Sequence, residues 1–564
     1  MRILHTHFPE RRMLVPIIGL VVALCASVAI CQIDTVYLQY GTPQENWFAL
    51  RPGQSAKEIP ENCSLLRGRY LTDDDLNTVT TRTMLQSLDL SGNNKISSSG
   101  LGKILKGRKL RFLSLVDCKA IDSDVFVALS SVAELLELDL RGLFWITDGH
   151  LSLLRQCSGL QTIVLQSGLI TSNGVCSLGK LSSLRSLTVT TSAKLDGTAF
   201  KGWDSSLIKR LEFIACTSIS DAAIHQLDQL KCLVDLSFLA CTGPTAACLA
   251  TCSLFSRLVR FVAPQAGFVN DDVVSALLQS PVLVEVDISN CLDITPAVVG
   301  KLAAKESVQT LRLRYFDHEF IIDPDLTWPI SSAMITFDLR GCRISNKTIS
   351  SILKLRHVTF LNLAYSKGWT SKSFCSLDNE SNIEALDVSG VDCDAKELTA
   401  AVSRLSKLRF LWLAFVPTLC DECLAQIPKR LFALVLHDNR QCTDTAIARF
   451  VELSSGTLRY LWLGRCRGVG STTVQSIVNC RNLEELNVSN TDASSASFGG
   501  AIGLSRLREL NLRGCKLIDD AIVPFLLRLP LEQLDVRGCN ISGDEIKKLQ
   551  AGMPGCRIEF TEVR

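Results

Sequence analysis

Apolar residues recur along this chain at a spacing that is too long to come from a single helix or strand. Near the C-terminus, four of them are followed 24 positions later by four equivalents: Leu507, Leu510, Leu512 and Cys515 by Leu531, Leu534, Val536 and Cys539. A fixed period of about 20–50 residues is typical of proteins built from stacked repeats. The hydrophobic pattern therefore predicts a repeat architecture.

The same template, LxxLxLxxC or LxxLxLxxN, can be placed nineteen times across residues 85–554, at a mean spacing of about 25 residues. We number these units repeats 1–19, and they begin at Leu85, Leu110, Leu135, Leu160, Leu184, Ile208, Leu233, Leu258, Leu283, Val308, Met334, Val358, Ile383, Leu408, Leu431, Leu458, Leu483, Leu507 and Leu531. Chance does not keep such a phase over so many units, so we expect one continuous solenoid.

Each repeat predicts a strand followed by a helix. The fourth and sixth positions point into the core, as Leu113 and Leu115 do, and this is the period of a strand. A buried aliphatic residue and a helix-start signal follow, as in Ile219-Ser220-Asp221, because small polar side chains accept hydrogen bonds from the first free amides of a helix. Stacked units of this kind predict an α/β horseshoe with a concave parallel β-sheet and convex helices.

The repeat consensus, close to LxxLxLxxCxxITDxxLxxL, resembles the cysteine-containing class of leucine-rich repeats. That class is familiar from F-box receptor subunits of ubiquitin ligases and from many bacterial proteins. The ending LQAGMPGCRIEF is similar to the final coil of exported bacterial members. The resemblance covers most of the chain and implies the solenoid fold. No F-box-like helical segment precedes the repeats, and an apolar segment stands near the N-terminus instead.

The N-terminal part predicts delivery to or across a membrane. Residues 1–12 are basic and residues 13–31 carry no charge. Nineteen helical residues span about 28 Å, close to the hydrocarbon thickness of a bilayer. We expect a signal anchor or a cleaved signal peptide, with the repeats on the extracytoplasmic side; a cytoplasmic protein is the alternative.

The remaining predicted boundaries are a linker at 32–60, an N-terminal cap at 61–84, the repeats at 85–554 and a C-terminal cap strand at 555–564.

Eight of the 23 cysteines share one position, the ninth, in their repeats. They are Cys118, Cys216, Cys241, Cys291, Cys342, Cys466, Cys515 and Cys539. Asn93 and Asn439 stand at the same place in two other repeats. We expect these side chains to fill a small buried space where the chain turns off its strand, with the thiol acting as a weak donor. This interpretation favours a structural role over disulfide or metal chemistry for the eight cysteines.

Composition and motifs limit the chemistry that the chain can carry. Its formal charge of +2 gives no electrostatic basis for binding nucleic acid. The sequence contains no HExxH, phosphate-binding loop or serine nucleophile motif, and the single CxxC, at 420–423, lacks the second pair that a zinc site needs. The acidic stretch 316–325 has no recognised ligand spacing and is interpreted as a solvated loop. We therefore predict a protein that is not an enzyme, without cofactor or metal.

The outward-facing positions of the predicted strands carry the most informative residues. Positions two, three, five and seven point away from the core, and in repeats 12–16 they are rich in aromatic and basic side chains. With two arginines from repeat 10, the predicted partner-binding residues are Phe360, Phe410, Trp412, Phe432, His437, Tyr460, Trp462, Arg312, Arg314, Arg409 and Arg459. Aromatic and arginine side chains on a rigid surface are typical of binding hot spots.

We predict a receptor-like scaffold that binds a protein or peptide on its concave face through repeats 12–16. A carbohydrate is a less favoured ligand, since Trp and Tyr rings also suit the faces of sugars. Two alternatives remain. For the whole protein, the alternative is an intracellular substrate-recognition adaptor of an SCF-type ubiquitin ligase. For the aromatic residues, the alternative is that their bulky side chains stiffen the sheet without binding a partner.

Overall fold

The computed structural model describes residues 48–50, 55–68, 71–191, 195–315, 328, 332–377, 381–499, 503–553 and 556–561. Within these residues, 22 short parallel strands pair in sequence order into one sheet. The strands are β1 (Phe48–Leu50), β2 (Leu65–Gly68), β3 (Ser87–Asp89), β4 (Phe112–Ser114), β5 (Glu137–Leu140), β6 (Thr162–Gln166), β7 (Ser186–Thr190), β8 (Arg210–Ile214), β9 (Asp235–Leu239), β10 (Arg260–Val262), β11 (Glu285–Asp287), β12 (Thr310–Arg312), β13 (Thr336–Asp338), β14 (Phe360–Asn362), β15 (Ala385–Asp387), β16 (Phe410–Trp412), β17 (Ala433–Val435), β18 (Tyr460–Trp462), β19 (Glu485–Asn487), β20 (Glu509–Asn511), β21 (Gln533–Asp535) and β22 (Arg557–Glu559).

The predicted repeat phase is confirmed. Each of the nineteen repeats begins two residues before a strand, from Leu85 before β3 to Leu531 before β21. Neighbouring strands pair equivalent positions, so that Phe410 of β16 is opposite Ala433 of β17. The fourth position is buried throughout, because it is the strand residue that points into the core.

Helices occupy the other side of the solenoid. The α-helices are Asp73–Val79, Ser98–Leu105, Val125–Leu129, Asp148–Leu153, Ser172–Leu178, Asp221–Gln226, Ala246–Thr251, Asp271–Leu277, Pro296–Ala304, Asn346–Ile352, Ala395–Val402, Asp421–Gln426, Asp444–Ser454, Ser471–Ile477, Val523–Leu526 and Gly543–Gly552. Short 3-10 helices are Ala56–Glu58, Leu154–Gln156, Leu227–Gln229, Ser253–Arg257, Ser371–Ser376, Ser495–Phe498 and Asp520–Ile522. Packed helices need about 8–10 Å each, whereas strands need about 4.8 Å, so the sheet forms the concave side.

An α-helix was predicted in every repeat, but in two repeats the structure has a 3-10 helix instead. Repeats 12 and 17 have the 3-10 helices Ser371–Ser376 and Ser495–Phe498 in the outer half. Both segments are rich in serine, whose hydroxyl competes for backbone hydrogen bonds and weakens α-helical preference. The outer half of a repeat can therefore vary while the strand side keeps its register.

The ninth-position cysteines link each repeat to the one before it. All eight thiols donate to the carbonyl oxygen of the sixth residue of the preceding repeat, as Cys118 does to Leu90 over 3.1 Å and Cys515 to Val488 over 3.0 Å. Asn439 makes the equivalent bond with its amide nitrogen. The expectation of a buried group with a weak donor is confirmed for this position.

A second ladder joins the outer halves of the repeats. The carboxylate of Asp221 accepts hydrogen bonds from the backbone nitrogen and hydroxyl of Thr245 in the next repeat, over 2.7 and 2.8 Å. Asp271 does the same for Thr295. The aspartate of the ITD-like signal thus stabilises the start of the following helix, which a single repeat considered alone does not reveal.

The N-terminal part of the sheet begins before the predicted first repeat. Strand β1 lies within residues 32–60, the predicted linker, and pairs with β2, which lies in the predicted cap. The described part of that linker therefore belongs to the solenoid. At the other end, β22 lies in residues 555–564 and pairs with β21.

Some predictions lie outside the described residues. They include the anchor or signal segment at 13–31, the basic residues 1–12 and the acidic stretch 316–325. None of the helices that the structure describes is long and apolar enough to cross a membrane. The sheet itself is continuous past the acidic stretch, since β12 pairs with β13 in register.

Candidate binding surface on the concave sheet

The strand register brings five of the predicted aromatic side chains onto one area of the sheet. They stand on β14, β16 and β18, at the third and fifth positions of their repeats. Each is half-buried, whereas the leucine that follows the third position is fully buried. We call these residues the strand row: Phe360, Phe410, Trp412, Tyr460 and Trp462.

Small residues separate the members of the strand row. Ala385 of β15 lies between Phe360 and Phe410. Ala433 of β17 lies in the same way between Phe410 and Tyr460. Strands in a sheet are about 4.8 Å apart, so successive rings are anchored roughly 10 Å apart across an alanine. Large and small residues thus alternate across the sheet, and the neighbouring side chains leave Ala385 and Ala433 only 8% and 4% exposed.

Phe432 lies beside the strand row between two arginines. The guanidinium carbon of Arg409 is 5.7 Å from the centre of the Phe432 ring, and that of Arg459 is 5.4 Å from it. Phe432 also meets Phe410 edge to face, with 6.1 Å between the ring centroids. Repeats 14 and 16 thus hold the ring of repeat 15 from both sides. Two cation–π contacts of about 0.5–1 kcal/mol each fix positive charge next to the strand row.

A second group of rings lies where the chain turns off the strands, and two of its three members were not predicted from the sequence. Tyr365 and Phe415 occupy the eighth position of repeats 12 and 14, where φ is 57° and 55°. The centroids of these two rings are 6.2 Å apart, and the Phe415 ring is 5.3 Å from that of His437. We call Tyr365, Phe415 and His437 the turn row.

A glycine allows the turn row to form. Gly390 holds the eighth position of repeat 13, between Tyr365 and Phe415, and its φ is 65°. A β-carbon at Gly390 would collide with the Tyr365 ring. The Tyr365 ring therefore lies over Gly390 and spans one repeat, while the Arg340 guanidinium carbon lies 5.7 Å from the ring centre.

His437 belongs to the turn row because its ring lies against that of Phe415. It does not separate the two tryptophans of the strand row, since Val435 is the residue opposite both Trp412 and Trp462. Burial lowers the pKa of His437, and the nearby charge of Arg465 lowers it further. The imidazole is therefore neutral near pH 7, and this part of the surface offers a hydrogen-bonding ring rather than a cation.

Arg312 and Arg314 belong to a ladder of ion pairs rather than to the aromatic surface. Arg312 contacts Glu285 at 2.5 Å, and Arg314 contacts Asp287 at 2.8 Å and Asp338 at 3.6 Å. Only 17% of each arginine side chain is exposed. Their charge is neutralised within the protein, so we leave both out of the proposed contact surface.

A carboxylate lies at the other edge of the strand row. Glu485 of β19 is opposite Tyr460 on one side and Glu509 on the other. Burial, together with the charge of the neighbouring Glu509, raises the pKa of Glu485 to about 8. Glu485 is consequently protonated near neutral pH and can donate a hydrogen bond. It lines a shallow cleft that continues past Gln533 to Arg557.

A family model described as Leucine Rich repeat matches residues 82–105, which contain the strand and helix of repeat 1. The same unit recurs, with strands in register, through the rest of the described sheet. The chain folds as a leucine-rich-repeat solenoid. No sequence among the curated proteins matches it.

Solved structures similar to this leucine-rich-repeat protein include three complexes. The TLR13–ssRNA13 complex is 16% identical and covers 88% of this chain and 81% of that chain, with a TM-score of 0.38. The mouse RP105/MD-1 complex is 15% identical and covers 90% and 93%, with a TM-score of 0.41. The yeast Rad7–Elc1 complex is 14% identical and covers 97% and 98%, with a TM-score of 0.29.

In this leucine-rich-repeat protein, nine of the eleven predicted residues lie together in repeats 12–16. They are Phe360, Phe410, Trp412, Phe432, His437, Tyr460, Trp462, Arg409 and Arg459. Their role in binding stays a prediction. The missed members of the surface, Tyr365 and Phe415, had a signal in the sequence, since aromatic residues recur at the eighth position of alternate repeats.

Proposed function

We propose that this leucine-rich-repeat protein is a non-catalytic recognition protein that binds a protein or peptide partner on its concave sheet across β14–β18. The observation that carries the proposal is the strand row, in which half-buried rings alternate with small residues on one rigid face. Rings held by a sheet lose little conformational entropy on binding. Large aromatic side chains of this kind dominate measured binding energies.

The contacts within the surface favour a partner that has both apolar and acidic side chains. Apolar side chains of the partner would pack against the half-buried rings of the strand row. Arg409 and Arg459 bring positive charge to one edge of the strand row through their contacts with Phe432. The side chain of Arg459 remains 50% exposed, although Glu484 lies 3.9 Å away. An acidic group of the partner would meet this edge.

The proposal is tested with the double variant Trp412→Ala/Trp462→Ala. Peptides selected from a random display library on the full-length protein would be synthesised, and their dissociation constants measured by fluorescence polarisation. We expect the double variant to bind at least about 100-fold more weakly, since each hot-spot tryptophan contributes about 2 kcal/mol or more. Because both rings are half-buried on the surface, the melting temperature should change little.

Phe112→Ala is the matched control. Phe112 stands at the third position of repeat 2, is half-buried on the same sheet and lies far from the strand row along the solenoid. The selected peptides should bind this variant as they bind the unchanged protein. Equal loss of affinity in both variants, or loss that follows a fall in melting temperature, would contradict the proposal. The proposal would also be contradicted if no peptide from the library binds the concave face while the protein binds immobilised glycans.

The cellular side on which this surface is displayed rests on residues 13–31 and stays a prediction. The concave surface does not depend on it, because the strand row is formed entirely by residues of repeats 12–16.

A further inference from the structure

Three side chains with soft or borderline metal-ligand atoms converge on the convex side of repeats 6 and 7. His225 lies in the helix Asp221–Gln226, and Cys248 lies in the helix Ala246–Thr251 of the next repeat. Cys252 follows one turn after Cys248. The imidazole nitrogen and the two Sγ atoms all lie within 4.8 Å of one another.

The separation of the Cys248 sulfur from the His225 nitrogen is that of two ligands around one tetrahedral zinc ion. Zinc binds thiolate sulfur at about 2.3 Å and imidazole nitrogen at about 2.0–2.1 Å, which places two such ligands roughly 3.5–3.8 Å apart. The distance between Cys248 Sγ and His225 Nε2 is 3.6 Å. Both cysteines are free thiols, so neither is committed to a disulfide.

The surroundings give the cluster an entrance and anionic neighbours. His225 is exposed, whereas Cys248 and Cys252 are each only 5% exposed, so an ion would enter past the histidine and be held by buried sulfur. The carboxylate of Asp221 lies close enough to act on the charge of His225, and that of Asp228 lies near Cys252. Both carboxylates add negative charge beside the cluster, which favours a cation there.

We propose that His225 Nε2, Cys248 Sγ and Cys252 Sγ bind a single zinc ion, with a water molecule as the fourth ligand. Binding displaces the proton of each thiol to solvent, so the two thiolates balance the charge of Zn²⁺. The ion joins the helices of repeats 6 and 7 on the side opposite the binding surface. The proposal is independent of the function proposed for the concave sheet.

The test uses the full-length protein, purified with a reductant, stripped with a chelator and titrated with zinc chloride against a chromophoric zinc chelator. We expect one equivalent to bind, and cobalt(II) in its place to give a thiolate charge-transfer absorption band. His225→Ala, Cys248→Ser and Cys252→Ser should each weaken zinc binding at least 10-fold, because loss of even an outer partner costs about 10–100-fold.

Two controls separate loss of the site from loss of the fold. His225 is exposed, so in the presence of chelator His225→Ala should melt at the same temperature as the unchanged protein, and only the rise caused by zinc should disappear. The double variant Cys420→Ser/Cys423→Ser removes another close thiol pair, 3.4 Å apart, and should bind zinc normally. Unaltered zinc affinity in His225→Ala, loss of zinc in the Cys420/Cys423 variant, or no retained zinc in the unchanged protein would overturn the proposal.

Discussion

Asn439→Ala is expected to destabilise the solenoid more than the same change at a cysteine in the equivalent position. Asn439 is 1% exposed. Its amide nitrogen donates to the carbonyl oxygens of Leu413 and Leu436 over 2.7 and 2.8 Å, and its side-chain oxygen accepts from the Val416 amide over 3.0 Å. The side chain therefore joins repeat 15 to repeat 14 with both of its polar atoms.

The magnitude follows from the groups that lose this partner. Alanine leaves the Leu413 carbonyl and the Val416 amide without the side chain that now satisfies them, and each buried group costs about 1–3 kcal/mol, or about 4 kcal/mol for the two. At Cys466 the thiol makes one weak bond, to the Leu436 carbonyl over 2.9 Å. Cys466→Ala should therefore cost about 1–2 kcal/mol. Asn439→Cys should fall between the two.

The assay is urea denaturation followed by circular dichroism, combined with amide hydrogen exchange at Val416 and its neighbours. Exchange is needed because a solenoid can open repeat by repeat, and a single unfolding curve then averages unequal regions. We expect faster exchange in repeats 14 and 15 for Asn439→Ala, and a smaller, similarly local effect for Cys466→Ala. If the two alanine variants agree within about 0.5 kcal/mol, packing rather than hydrogen bonding determines the residue at this position.

Two further predictions concern the edges of the binding surface. Glu485→Gln should become more stabilising as pH rises. The pKa of Glu485 is about 8 in the folded protein, whereas its ordinary pKa, which applies in the unfolded chain, is 4.5. Between these two pH values the folded protein therefore keeps a proton that the unfolded chain has released. The unfolding free energy of the unchanged protein then falls between about pH 5 and 8. Denaturation curves should show the difference in unfolding free energy between the variant and the unchanged protein widening by up to about 1.4 kcal/mol per pH unit. A difference that does not depend on pH would disprove the raised pKa of Glu485. Gly390→Ala should cost about 2–3 kcal/mol, because its left-handed backbone and the Tyr365 ring both oppose a β-carbon. Gly92→Ala, at φ 79° with open space around it, should cost only about 1 kcal/mol, and equal melting temperatures for the two variants would show that the ring contact is unimportant.

The strand row could be predicted because it depends only on position within a repeat. Once every start was aligned, Phe410 and Trp412 had to share a face with Tyr460 and Trp462, and the structure places them there. Tyr365 and Phe415 of the turn row were missed because alternation along a strand says nothing of the eighth position. There a positive φ turns the side chain outward, as at Phe415.

A charge pattern in the sequence also indicates the ion pairs of Arg312 and Arg314. Opposite charges alternate at the fifth position of successive repeats, with Asp287, Arg312 and Asp338 in turn. Equivalent positions of parallel strands are neighbours, so charges on successive repeats can neutralise one another, as Arg312 does with Glu285 and Arg314 with Asp287. Counting arginines on a face overstates the charge that the face presents to a partner.

The sequence by itself determined the architecture, the phase of every repeat and the buried role of the ninth-position cysteines. These properties are periodic, and a period repeated nineteen times leaves no competing arrangement. Only the tertiary structure decided which outward side chains are neutralised, which rings touch across a glycine, and which residues meet on the convex side. Each of these depends on contacts between neighbouring repeats, such as those of Gly390 with Tyr365 and of His225 with Cys248, whose geometry the repeat pattern does not specify.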